Sequence, residues 1–245
     1  MNKFKITKLA AMAMGLAVAS QVAQAQSLFN VDAGPSGQTV YTGAAVLGSS
    51  GDLWNGITGG DYGNFTTAIS DSTGSSAAGV TVHVWNYYST YNNTGGTTAN
   101  PMGLMQDYIN APAWGNPADG WPIKVELANL PTLTAFSLVV YAAGDGTGQN
   151  VAIDLATDAN FGTVLQSAAV TSASRDISAG QGVAYQLFSG TTSASGTIDF
   201  QVRTTVNNWH ALNGLQLEVV PEPSSLALCG GGLVLLGAFR RRLAR

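Results

Sequence analysis

The chemistry this sequence could carry is concentrated in its aromatic residues. Trp85-Asn86-Tyr87-Tyr88, Tyr91-Asn92-Asn93, Trp114-Gly115-Asn116 and Trp121 fall within one 37-residue stretch. The flat apolar face of a sugar packs on an aromatic ring, while Asn, Asp and Gln side chains bond its hydroxyls. The pattern therefore suits a carbohydrate-binding cleft with Tyr87, Tyr88, Tyr91, Trp114 and Trp121 as contacts. Trp54-Asn55 and Trp209, preceded by Asn207-Asn208, could stand at neighbouring loops. The same rings could equally be core, and roughly half of the tryptophans are expected to be. Tyr87, Tyr88, Tyr91 and Trp114 are the rings expected at the surface.

Catalytic arrangements are scarcer. A serine or cysteine nucleophile needs a base beside it, and the chain has two histidines, His83 and His210. No Gly-x-Ser-x-Gly elbow is present. His83 alternates with valines and reads as a surface histidine; His210 precedes the last strand and reads the same way. Two histidines without His-x-x-x-His spacing or cysteine partners argue against zinc. A glycosidase needs only two carboxylates, and nothing in the sequence marks a pair. Gly144-Asp145-Gly146-Thr147-Gly148 lacks the Lys-Ser/Thr ending of a phosphate loop and reads as a turn. Asp145 and Asn150 could hold calcium, but side chains capping their own turn are the simpler explanation. No catalytic residue, cofactor or metal ligand is therefore assigned, and structural calcium stays open.

The two ends differ from the middle. Lys3, Lys5 and Lys8 precede an 11-residue apolar run, Leu9 to Ala19, and then Ala23-Gln24-Ala25. A basic start, a short apolar run and a small-x-small site make residues 1–25 a signal peptide. Cleavage after Ala25 leaves Gln26 first, with the export machinery and signal peptidase as partners. At the other end, Pro221-Glu222-Pro223 precedes the uncharged run Leu226 to Phe239, closed by Arg240, Arg241, Arg242 and Arg245. Those 14 residues would make about 21 Å of helix, short of a bilayer core of ~30 Å. The flanking arginines can snorkel and hold the cytoplasmic side, so a short transmembrane helix over 226–239 is expected.

Between these signals, residues 26–220 contain three basic residues (Lys124, Arg175, Arg203) against 13 acidic ones, a formal charge near −10. Nucleic acid is excluded as a partner, because phosphate contacts need cations. The single cysteine, Cys229, lies in the C-terminal apolar run, so the domain must be held by core burial alone. About 195 residues suffice for that.

The elements that must position the rings are strands. Thr197-Ile198-Asp199-Phe200-Gln201-Val202-Arg203, Leu215-Gln216-Leu217-Glu218-Val219, Ile123-Lys124-Val125-Glu126-Leu127 and Val80-Thr81-Val82-His83-Val84 alternate apolar and polar residues. Phe136 to Tyr141 is continuously apolar and predicts a strand buried on both faces. Further strands are expected at Ser27–Asp32, Val40–Leu47, Val151–Leu155, Val164–Val170 and Val183–Phe188. About ten short strands separated by Gly/Ser/Thr turns predict an all-β fold, an antiparallel β-sandwich of the jelly-roll kind over 26–220. Pro101 to Asn110 could hold a helical turn or two, and Tyr87 to Asp119 reads as a long loop or lid.

Two resemblances follow from these residues. Val219-Val220-Pro221-Glu222-Pro223, a short apolar helix and a closing arginine cluster resemble the PEP-CTERM sorting signal, in order, over about the last 25 residues. The resemblance implies an exosortase-type processing enzyme as partner, with cleavage near Pro221-Glu222-Pro223. It further implies a precursor anchored in the inner membrane, then display at the cell surface or in the matrix of an exopolysaccharide-making Gram-negative bacterium. Phe29-Asn30-Val31-Asp32, Leu138-Val139-Val140-Tyr141 and Leu212-Asn213-Gly214-Leu215-Gln216-Leu217 are similar to strands of malectin-like and galactose-binding-like jelly rolls. Together they imply a non-enzymatic surface protein, with exopolysaccharide as a candidate ligand. A purely adhesive matrix protein and a secreted polysaccharide-degrading enzyme are the alternatives.

Overall fold

Alternating residues with one apolar face leave that face to be buried against another sheet, and two such sheets meet here. The computed structural model describes residues 27–59, 62–76, 79–92, 101, 103–113, 121–144, 149–206 and 208–220. Fourteen strands are present among them: β1 (Ser27–Pro35), β2 (Asn55–Gly59), β3 (Asn64–Ala68), β4 (Thr81–Trp85), β5 (Ser89–Asn92), β6 (Asp107–Ala111), β7 (Ile123–Ala128), β8 (Ala135–Tyr141), β9 (Val151–Ala156), β10 (Val164–Val170), β11 (Tyr185–Thr191), β12 (Ile198–Thr204), β13 (His210–Leu212) and β14 (Gly214–Val220). One short 3-10 turn, Ile177–Ala179, is capped by Asp176, whose side chain accepts the Ser178 N–H. Among the described residues no helix is long and apolar enough to cross a membrane.

One sheet runs β11-β8-β14-β1-β2 and the other β10-β9-β12-β7-β4-β3; a small third sheet, β13-β6-β5, lies apart from both ladders. Pairing is antiparallel in the second sheet, whereas β1 and β2 pair in parallel. Phe29 and Val31 of β1, Leu138 and Val140 of β8 and Leu215 and Leu217 of β14 meet Val82 and Val84 of β4, Val125 of β7 and Phe200 of β12 in one core. Each such side chain removed from water contributes roughly 1.5–3 kcal/mol, which is how a domain without disulfides is held.

The expected β-sandwich is thus what forms, with more strands than expected. Leu138 to Tyr141 is buried on both faces, because Val139 and Tyr141 face a second apolar cluster with Trp54, Leu104 and Met105; Ser137, which interrupts the apolar run, is half-buried. Val40–Leu47 is not a strand. Its apolar residues pack on that cluster, but its backbone is satisfied by side chains: Tyr41 N–H donates to Asp32 Oδ2 (2.8 Å), Val46 N–H to the Tyr141 hydroxyl (3.1 Å) and Leu47 N–H to Gln216 Oε1 (2.8 Å). The segment therefore lies across the sheet as a strap. The helical turn expected within 101–110 is only a turn at 103–106 leading into β6. The long loop expected from Tyr87 contains the paired strands β5 and β6.

Candidate functional site

Three exposed or half-buried rings come together beside the small sheet. Tyr88 stands between Tyr62, with ring centroids 4.6 Å apart at 65°, and Trp209, 5.3 Å apart at 74°. Tyr62 is 65% exposed and Trp209 39% exposed. Edge-to-face contact holds the three in fixed relation, with half-buried Tyr88 also packed against the main core.

Local structure explains how they are placed. Asn86 ends β4 with φ at +60°, a left-handed conformation that asparagine tolerates better than most residues. Its side-chain amide donates to the Pro122 carbonyl (2.8 Å), fixing the corner. That residue reverses the in–out parity of the strand, so Tyr87 turns into the core and Tyr88 turns outward. Tyr88 N–H donates to the Asn110 carbonyl of β6 (2.9 Å), and Tyr62 N–H donates to the Tyr88 carbonyl (2.8 Å). Gly59 and Gly63 flank Tyr62, and a Cβ at either would fall inside contact distance of the Tyr87 hydroxyl. Trp209 is oriented by Asn208, whose side-chain oxygen accepts the Trp209 N–H (2.8 Å).

The sequence-derived contacts divide accordingly. Tyr88 stays in the site. Tyr87, expected at the surface, is 2% exposed and is a core residue, corrected by the parity change at Asn86. Tyr91 is exposed but stacks on buried Tyr108 at 5.4 Å, away from the trio. Trp121 packs against the main core with its indole N–H closed off from solvent, so it supports the site without presenting a face. Trp54 is buried, its indole N–H donating to the Gly43 carbonyl (3.0 Å). Trp114, Asp145, the cleavage residues Ala23, Ala25 and Gln26, and the sorting residues Pro221, Glu222, Pro223, Arg240, Arg241 and Arg242 lie outside the described residues. Tyr62 was missed: a lone tyrosine in Gly59-Gly60-Asp61-Tyr62-Gly63 has no spacing that announces it.

Titratable groups are distributed differently. His83 stacks on Trp85 (4.6 Å) and bonds Asn64 (2.7 Å) on the outer face of the six-stranded sheet. His210 is fully buried, not a surface residue as its sequence position suggested, because β13 pairs with β6 behind the trio. Its Nε2 faces the Trp121 carbonyl (3.0 Å), and burial pushes its pKa down to about 4. Glu126 and Asp199 are direct cross-strand partners, and burial, helped by the Glu126 charge, pushes Asp199 up to about 6. Asp199 is 2% exposed, whereas Glu126 beside it is half-buried. A shallow cleft between β10 and β11, lined by Phe136, Leu155, Leu165, Gln166 and Thr191 among others, carries no titratable side chain. Among the described residues no group of three or more His, Cys, Asp or Glu side chains could hold a metal.

Comparison with known proteins adds the tail. Residues 219–242 match the PEP-CTERM protein-sorting motif, so the chain carries this signal, which implies an exported, membrane-anchored precursor handled by exosortase-type machinery. No curated protein sequence matches the chain. Among solved structures, a cleaved adhesin domain of Lys-gingipain from Porphyromonas gingivalis is similar at 12% identity and a TM-score of 0.29, covering 46% of this chain and 73% of that one. The C-terminal CBM6 of LamC, a marine laminarinase from Zobellia galactanivorans, is similar at 14% identity and a TM-score of 0.23, covering 62% and 90%. Arthrobacter globiformis isomalto-dextranase complexed with panose is similar at 11% identity and a TM-score of 0.30; the match covers 65% of this chain and 24% of that one.

Proposed function

We propose that this protein is a non-enzymatic surface module that binds polysaccharide outside the cell through Tyr62, Tyr88 and Trp209. The observation that carries the reading is the contiguity of two exposed rings, Tyr62 and Trp209, on either side of half-buried Tyr88, held by hydrogen bonds of their backbone N–H groups. A rigid aromatic row costs little entropy to engage and selects a flat apolar ligand face. The low positive charge of the domain favours neutral glycans over anionic ones as ligand. Exopolysaccharide of the producing cell is the ligand class that fits an exported protein.

Retention of the exported chain on immobilised neutral polysaccharides tests this. Wild type should be retarded, and Trp209→Ala or Tyr62→Ala should weaken retention about tenfold, one lost stacking contact of ~1.4 kcal/mol. Equal mobility of wild type and variants on every gel would sink the reading. Sugar release that vanishes in Asp199→Asn would replace it with an enzyme, and self-association without glycan would favour an adhesive matrix protein.

A further inference from the structure

Three acceptor oxygens with no donor are buried together where the strap leaves β1. Asp32 is 0% exposed and Asp107 3% exposed, and one carboxylate oxygen of each, Oδ1, has no hydrogen-bond partner. The side-chain oxygen of Gln38, Oε1, is likewise buried without a donor. Gly34 gathers them: a Cβ there would collide with both Gln38 Oε1 and Asp107 Cβ, and Asp32 sits two residues earlier on the same face of β1. The Gln38 amide nitrogen points the other way, donating to the Asp32 carbonyl at 3.4 Å, which leaves its oxygen towards the carboxylates.

A buried carboxylate oxygen without a donor is costly, and two of like charge in one place cost more. Burial pushes Asp32 up to about 7, with the Tyr41 N–H opposing and the Asp107 charge adding to the rise; burial also pushes Asp107 up to about 6. Two of the domain's three cations are engaged elsewhere: Arg203 pairs with Asp154 and Lys124 lies over the Phe161 ring. Amides on the neighbouring strands, in contrast, find partners. Asn30 and Gln216 bond each other (2.8 Å), and Asn213 is bonded at both ends, to Ala143 N–H (2.8 Å) and the Asp107 carbonyl (3.0 Å).

We infer that Asp32, Asp107 and Gln38 form a binding site for a hard divalent cation of the calcium class, which ties the chain entering the 40–47 strap to β1 and β6. Carboxylate and amide oxygens are the donors such ions take, and a set of two carboxylates and one amide leaves room for water in the coordination shell. So few protein ligands place the dissociation constant at about 10⁻⁴–10⁻³ M, the range of extracellular calcium modules. The exported location supplied by the sorting tail is where such an affinity is useful. The inference does not depend on glycan binding.

The test uses the full chain in detergent, stripped with chelator and titrated with calcium chloride at pH 7.5. Calorimetry should give one site per chain, and 5 mM calcium should raise the melting temperature by several degrees. Asp32→Asn and Asp107→Asn, near-isosteric changes, should keep the far-UV spectrum of the wild type and lose the calcium heat and the thermal shift. If the two acids instead share only a proton, the stripped wild type will show neither heat nor shift with calcium, magnesium or manganese. That result overturns the inference, as does calcium binding unchanged in both variants.

Discussion

The Tyr87 hydroxyl occupies the space that a Cβ on Gly63 would need. A buried ring and a surface turn are thereby matched, and the turn carries Tyr62 into contact with Tyr88. Gly63→Ala should cost about 1–3 kcal/mol, the usual range for overpacking a core, and displace Tyr62 as well. Chemical denaturation gives the first and glycan retention the second. A variant as stable as wild type would show that the turn yields freely.

Acidification should destabilise the domain through His210. Its pKa falls from about 6.5 in the unfolded chain to about 4 when buried, so the folded state binds its proton less readily. Stability from this residue is complete above pH 6.5 and is lost as pH drops towards 4, a span worth about 3 kcal/mol. Melting temperatures between pH 7.5 and 4 should fall less steeply in His210→Gln than in wild type. Parallel slopes would remove His210 as the cause.

Asp154 gathers Arg203 (2.6 Å), Gln201 (3.0 Å) and Ser167 on the outer face of the six-stranded sheet. Burial would raise its pKa, but these donors together hold it below the usual carboxylate value. Its stabilisation is present above pH about 4 and disappears below. Arg203→Met leaves a buried carboxylate with neutral donors only and should cost about 1–3 kcal/mol. The double change with Asp154→Asn should recover part of that loss in urea titrations. An additive double mutant would show the pair to be uncoupled.

Sorting gives the sharpest cellular test. Glu222→Ala, or deletion of Arg240 to Arg245, should leave uncleaved precursor in the membrane fraction. Immunoblots of fractionated cells read this directly, and normal surface delivery of both forms would remove the exosortase assignment.

The sequence made most of the sandwich legible because strict alternation around Phe200, Val125, Leu217 and Val82 has a single physical reading. β5 and β6 escaped because Tyr91, Asn92, Asp107 and Asn110 mix polar residues into a pairing visible only in three dimensions. The strap at 40–47 had strand-like composition, but its hydrogen bonds go to Asp32, Tyr141 and Gln216 side chains, which no local pattern encodes. The aromatic site was half legible. Tyr88 lies in the rich segment, yet Tyr62 and Trp209 join it from afar, and the left-handed Asn86 puts Tyr87, expected at the surface, in the core.

β14 joins the two ends of this design. It starts at Gly214, five residues beyond Trp209, and runs to Val220, where the sorting tail departs, lying all the while between β1 and β8. Six residue pairs, Asp32↔Gly214 to Ser27↔Val219, fasten it to β1 alone. A pull between a ligand at Trp209 and a tail held at the membrane would act along this strand. Its hydrogen bonds on both sides would then be loaded together in shear, whereas an edge strand would peel one bond at a time.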